Sequence, residues 1–153
     1  MKAIIICDSK HRGNTRKVAE AMAIVLSAKI LESDKVKAGD LGEYDLVGFG
    51  SGIYMGKHDE RILSLVDKLP FGNRKKVFIF STSWTGLMQM DKNHKFLSDK
   101  LRDKDYDVVG NFSCKGMATF GPLKWFGGIN KNHPDAEEFE LARMFAEGVG
   151  SSL

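Results

Sequence analysis

The residues best equipped for chemistry stand together in "CDSKHRGNTRKVAE", residues 7–20, where an apolar run ends, a helical pattern begins and polar groups fill the gap. Cys7 offers a thiol nucleophile and Arg12 a guanidinium for a phosphoryl group, but only four residues separate them. A low-molecular-weight phosphatase loop has one residue more, and its amides must all converge on one anion. A nucleoside-triphosphate loop needs Gly-x-x-x-x-Gly-Lys-Ser/Thr, and here the lysine and second glycine are missing. A bound phosphate that does not react fits better. Ser9, His11, Asn14 and Thr15 surround Gly13 where the first helix starts, so backbone N–H groups and the helix dipole can receive a dianion. Gly13 permits the tight turn, and Thr15 is also placed to cap the helix. The competing reading is that Gly13-Asn14-Thr15 is a helix cap and nothing else.

Two further stretches join this one. In "FGSGIYMGKHD", Gly50, Ser51, Gly52 and Gly56 bracket Ile53, Tyr54 and Met55. Glycines let a backbone lie against a planar ligand, and Tyr54 supplies a stacking face. In "STSWTG", Thr82 and Ser83 offer hydrogen bonds and Trp84 a second aromatic surface. Three such segments on one edge of a sheet suit a flat, polar-rimmed ring with a phosphate tail.

The elements that must position them alternate regularly. Residues 3–7, 45–51, 76–81 and 107–114 are short runs rich in Ile, Val and Phe, the pattern of strands buried on both faces of a parallel sheet. Between them apolar residues recur at helical spacing: Val18, Met22, Val25 and Leu26; Ile62, Val66 and Leu69; Phe96, Leu97 and Leu101; Phe139, Ala142, Phe145 and Val149. Residues 28–44 offer a short edge strand and a loop but no helix. Strand then helix, repeated, implies a doubly wound α/β domain, whose ligands bind beyond the carboxyl ends of the strands. The informative segments all follow such ends.

Composition sets bounds. A chain of 153 residues, 42% hydrophobic, suits one domain with a sizeable core, and no repeat or linker divides it. "MKAIIICD" is too short for a membrane span and lacks a signal-peptide cleavage site, so a cytoplasmic protein is expected. Cys7 and Cys114 have no metal-ligand spacing and read as buried, reduced thiols; no metal is expected. The net charge of +3 comes without a basic run or aromatic platform, which argues against nucleic acid as a partner.

The spacing of "GNT" after the first strand, "GFGSGIYMGKH" after the third and "FSTS" after the fourth resembles the flavodoxin-like family over nearly the whole chain. The segment "GMATFGPLKWFGGINKNHPDAEEFELARMFA", residues 116–146, is similar to a branch of short, single-domain members. The resemblance implies one three-layer α/β domain over residues 1–153, with a five-stranded parallel sheet in the order 2-1-3-4-5, and bound flavin mononucleotide (FMN). It implies the FMN phosphate on Ser9, His11, Gly13, Asn14 and Thr15, with Arg12 in the same loop. The ring then lies between Ser51, Gly52, Ile53, Tyr54, Met55 and Gly56 on one side and Thr82, Ser83, Trp84 and Thr85 on the other. Tyr54 or Met55 is the stacking candidate on one face, and Trp84, Phe120 or Trp125 on the other. Gly52 and Gly56 are the candidates for a peptide that turns its carbonyl toward the flavin N5.

Three departures stand out. Lys10 and Arg12 occupy positions where the family has hydroxyls, which leaves Ser9 and His11 as replacements. The usual Trp after the third strand is absent. Electron-carrying members are strongly acidic, whereas the pI here is about 8.8. Lys10, His11, Arg12, Lys57, His58, Lys124 and Lys131 cluster by sequence near the expected cofactor edge, so a less negative potential and acidic redox partners, ferredoxin-like or reductase domains, are expected. Neither a membrane nor a large assembly is expected; the association state is monomer or weak dimer. The function implied is electron transfer between proteins. The alternative is a flavin oxidoreductase with its own small substrate, a quinone reductase or protoporphyrinogen-oxidase-like dehydrogenase, with residues 115–133 as lid or docking surface. A receiver domain, claiming Asp8 and Lys115, lacks the phosphate-accepting Asp where Ser51 stands, and a flavin-free interaction module is the remaining rival.

Overall fold

Strand β1, Ala3–Asp8, shows why this sequence makes a layered domain: every one of its residues is buried, so both faces of the strand need a cover. A computed structural model describes residues 1–10, 13–115 and 133–153. The further elements are α1 (Asn14–Leu26), β2 (Lys29–Leu31), β3 (Leu46–Tyr54), β4 (Lys57–His58), α2 (Glu60–Asp67), β5 (Lys76–Ser83), α3 (Met90–Asp103), β6 (Asp107–Lys115) and α4 (Ala136–Ser151). Short 3₁₀ turns occupy Ser33–Lys35, Ala38–Glu43 and Gly86–Gln89.

The sheet runs β2-β1-β3-β5-β6, all parallel, while β4 folds back antiparallel on β3. With the five parallel strands numbered in sequence, this is the expected order 2-1-3-4-5. Side-chain alternation divides the core into two layers. Ile5, Cys7, Phe78 and Phe80 pack with Val18 and Met22 of α1 and Ala142 and Ala146 of α4. Ile4, Ile6, Val77 and Ile79 pack with Ile62 and Val66 of α2 and Leu97 and Leu101 of α3.

Several local expectations change. Strand β3 continues past the expected end at residue 51 to Tyr54, which takes Gly52 and Ile53 into the sheet, and within the expected part of the strand lies Gly50. A Cβ there would lie 2.2 Å from Phe80 Cζ; the missing side chain makes room for a phenyl ring. Strand β6 is buried only at Phe112–Cys114, because it forms the sheet edge and its first half is partly exposed. Phe96 is 46% exposed, since α3 turns Leu97 and Leu101 to the sheet and leaves Phe96 beneath the ammonium groups of Lys57 and Lys100, 4.8 and 5.2 Å from its centroid. Thr15 does not cap α1: the N-cap is Gly13, at φ 67, which has no side chain to offer.

Candidate functional site

The carboxyl ends of β1, β3 and β5 bring the three informative segments to one edge of the sheet. After β1, the Ser9 hydroxyl oxygen is buried with no hydrogen-bond partner among the described residues. Gly13 then turns the chain through positive φ, and Asn14 and Thr15 enter the buried first turn of α1. The Thr15 hydroxyl meets that of Thr82 at 2.7 Å, which joins this turn to the end of β5. His11 and Arg12 lie outside the described residues, as do Phe120, Lys124, Trp125 and Lys131.

After β3 the expected loop is a tight hairpin. Ile53 pairs with His58 and Tyr54 with Lys57, leaving Met55 and Gly56 as the turn. Both have positive φ, 52° and 79°, as a two-residue hairpin turn of this type demands, and Met55 is wholly exposed. Gly52 lies within the ladder, opposite Thr82, so Gly56 alone of the two glycines sits at a turn. The Ser51 hydroxyl is committed internally: it donates to the Gly52 carbonyl at 2.7 Å and accepts from Asp59 N–H at 2.9 Å.

Asp59 clasps the site from below. It caps α2 by accepting from Arg61 N–H at 2.9 Å, and its other oxygen pairs with the Arg61 guanidinium at 3.0 Å. Lys10 Nζ lies 3.6 Å from the same oxygen and 4.7 Å above the Tyr54 ring centroid. Burial pushes the Asp59 carboxyl up, but the Arg61 hydrogen bonds and the Lys10 charge outweigh it and hold the acid below its ordinary value. Burial first, then the Asp59 charge, raises the Tyr54 phenol. One face of Tyr54 thus carries a cation.

After β5, Ser83 Oγ accepts from Gly86 N–H at 3.0 Å and lies 3.2 Å from Thr85 Oγ1, which shapes the turn that exposes Trp84.

The structure removes His58 from the expected basic rim. It is buried, its Nε2 donates to the Phe80 carbonyl at 3.0 Å, and burial together with neighbouring His94 pushes it down to about 3. The ring centroids of the two histidines are 4.9 Å apart. His94 continues into a polar chain, with Nε2 2.7 Å from Ser81 Oγ and Nδ1 2.9 Å from Asn111 Oδ1. No reading of single motifs finds this network. The signal was there in spacing, because His94 shares a helix face with Leu97 and Leu101.

The thiol reading loses its nucleophile. Burial, then the Asp8 charge, pushes the Cys7 thiol up to about 12, so no thiolate nucleophile stands at the β1 end. Asp8 accepts from Ser33 N–H at 3.1 Å, and its partner position on β3 is Ser51. Lys115 points its backbone N–H at Glu138, 2.7 Å away. Glu138 also bonds His133 and completes the capping box of Asp135 at the start of α4. Among the described residues no helix is long and apolar enough to cross a membrane.

Comparisons with known proteins agree with this architecture. A family model described as a flavodoxin domain matches residues 4–120. An uncharacterized protein of Methanocaldococcus jannaschii is 45% identical over 149 residues, covering 97% of this chain and 98% of that one. The crystal structure of oxidised Flavodoxin 2 from Bacillus cereus superposes with a TM-score of 0.76 at 17% identity, covering all of both chains. A Streptococcus pneumonia flavodoxin does so with a TM-score of 0.74 at 16% identity, again over both whole chains.

Proposed function

The chain belongs to the flavodoxin domain family, and we propose that it binds FMN at the carboxyl ends of β1, β3 and β5 and passes electrons between partner proteins. The observation that carries this reading is the buried Ser9 hydroxyl, without a partner among the described residues, beside an α1 start whose N-cap, Gly13, has no side chain to cap it. A phosphate there gives Ser9 an acceptor and meets the first-turn N–H groups of Asn14 and Thr15. The residues present fit the cofactor at that end.

Bound FMN supplies reversible acceptance of electrons; the rest is the work of this chain. The Ile53–Gly56 hairpin and the Ser83–Thr85 turn offer Tyr54, Met55 and Trp84 as ring-facing surfaces, and the Met55–Gly56 turn offers a peptide for N5. The Thr15–Thr82 bond holds the phosphate and ring segments at a fixed separation. Lys10 brings positive charge next to Tyr54, which favours electron uptake. Exposed Met55, Trp84, Leu87 and Met88, with Lys57 nearby in sequence, suit a transient partner that is itself acidic.

Electron carriage fits this site better than turnover of a small substrate. Among the described residues, the Asp59 carboxylate is tied to Arg61 and His58 is buried with its Nε2–H given to the Phe80 carbonyl, so neither of these two serves as a general acid or base toward a substrate at the edge.

The test is titration of the purified protein with FMN and with riboflavin, followed by flavin absorbance and fluorescence. The reading expects one FMN per chain, weaker binding of riboflavin, and a Ser9→Ala variant that loses affinity for FMN but not for riboflavin. Failure to bind FMN overturns it. Turnover of NAD(P)H with a quinone and no protein partner replaces the carrier with the oxidoreductase.

A further inference from the structure

We propose that His94, in the buried pair it forms with His58, is a proton-accepting site that takes a proton from solvent when an electron arrives at the cofactor edge. The proposal rests on the FMN reading above. Its warrant is the hydrogen-bond pattern around the ring. Ser81 Oγ donates to Ser113 Oγ at 2.9 Å, and therefore meets His94 Nε2, 2.7 Å away, as an acceptor. Asn111 Oδ1 meets Nδ1 as an acceptor too, at 2.9 Å. Both ring nitrogens thus face acceptors, the frame an imidazolium needs. Turning the Asn111 amide, or reversing the Ser81–Ser113 bond, converts the same frame to one that holds the neutral ring. A site that suits both protonation states without moving the backbone is a place where a proton can come and go.

The surroundings leave the balance open to an added charge. On its own helix, Asp91 acts on His94 to favour the cation. From β4, His58 faces it and stays neutral, its Nε2–H given to the Phe80 carbonyl and its Nδ1 without a partner among the described residues. From β5 and β6 come Ser81, Ser113 and Asn111, all uncharged. Burial holds His94 below the ordinary histidine value, so the ring is neutral near neutrality until negative charge is added. Ser81 directly precedes Thr82–Thr85, the segment assigned to the ring, so that charge arrives at the near end of the same strand. The balance is simple: a reduced partner protein loses the electron, FMN gains it, and a proton from water adds to a nitrogen lone pair of His94.

The experiment follows histidine ring-nitrogen shifts by NMR in the FMN-loaded chain between about pH 5 and 8, oxidised and then fully reduced. Reduction is expected to raise the proton affinity of His94 about tenfold. In parallel, the part of the pH dependence of the flavin potential that tracks the His94 titration is expected to be lost in His94→Gln, leaving only the slope of the flavin's own protonation, while FMN still binds. Identical His94 titrations in the two redox states, with FMN bound and reduced, overturn the proposal and leave the carrier reading intact. Failure to bind FMN overturns both. If His94→Gln does not fold, the titration of the unaltered protein decides.

Discussion

Thr15 Oγ1 and Thr82 Oγ1, 67 positions apart in sequence, meet at 2.7 Å in a buried hydrogen bond. It links the first turn of α1 directly to the end of β5. Replacing either residue with Val keeps the shape and strands the other hydroxyl, at a cost of about 1–3 kcal/mol. The Thr15→Val/Thr82→Val pair is expected to cost less than the two singles added. Urea denaturation of all four proteins measures that coupling, and strict additivity would sink it.

Gly50 makes a sharper demand on packing. A Cβ there meets Phe80 Cζ at 2.2 Å, so Gly50→Ala is expected to destabilise by about 1–3 kcal/mol through overpacking. Combining it with Phe80→Leu removes the clash, and part of the loss returns. Thermal denaturation of the three variants against the parent reads this, and a Gly50→Ala protein as stable as the parent refutes the packing account.

His58 ties stability to pH. Its folded value is pushed down to about 3 from the ordinary 6.5, so the unfolded chain binds its proton more readily than the folded one. Stability from this group is fully present above 6.5 and declines as pH falls from there toward 3. His94, shifted in the same direction, adds to the slope, and so does Asp59 at lower pH. A His58→Phe variant is expected to flatten stability between about pH 6 and 4, measured by urea midpoints. An unchanged slope shows that the loss lies with other groups.

Lys10 reports on the charge at the cofactor edge. Its ammonium lies over Tyr54 and near Asp59, half exposed, so Lys10→Met removes a weak but well-placed cation. The potential of bound FMN is expected to become more negative by the equivalent of roughly 1 kcal/mol or less. Spectroelectrochemical titration at low and high salt checks it, because screening should shrink the difference. A potential equal to the parent's at low salt removes Lys10 from the tuning.

Apolar runs buried on both faces, separated by helical periods, admit little besides helices on two sides of a parallel sheet. Ile4 and Ile5 must point opposite ways, and each needs a layer to cover it. The sequence therefore determined the layers, the strand succession and the edge at which Ser9, Gly13, Tyr54 and Ser83 gather. Tertiary structure alone decided what individual side chains do there. Thr15 reads as a cap until Thr82 is brought to it, and Gly50 reads as room for a planar ligand until Phe80 fills its place. His58 reads as a surface cation until a two-residue turn folds it under α3. In each case the deciding neighbour comes from another strand or helix, and local spacing carries no information about which side chain a sheet register sets opposite.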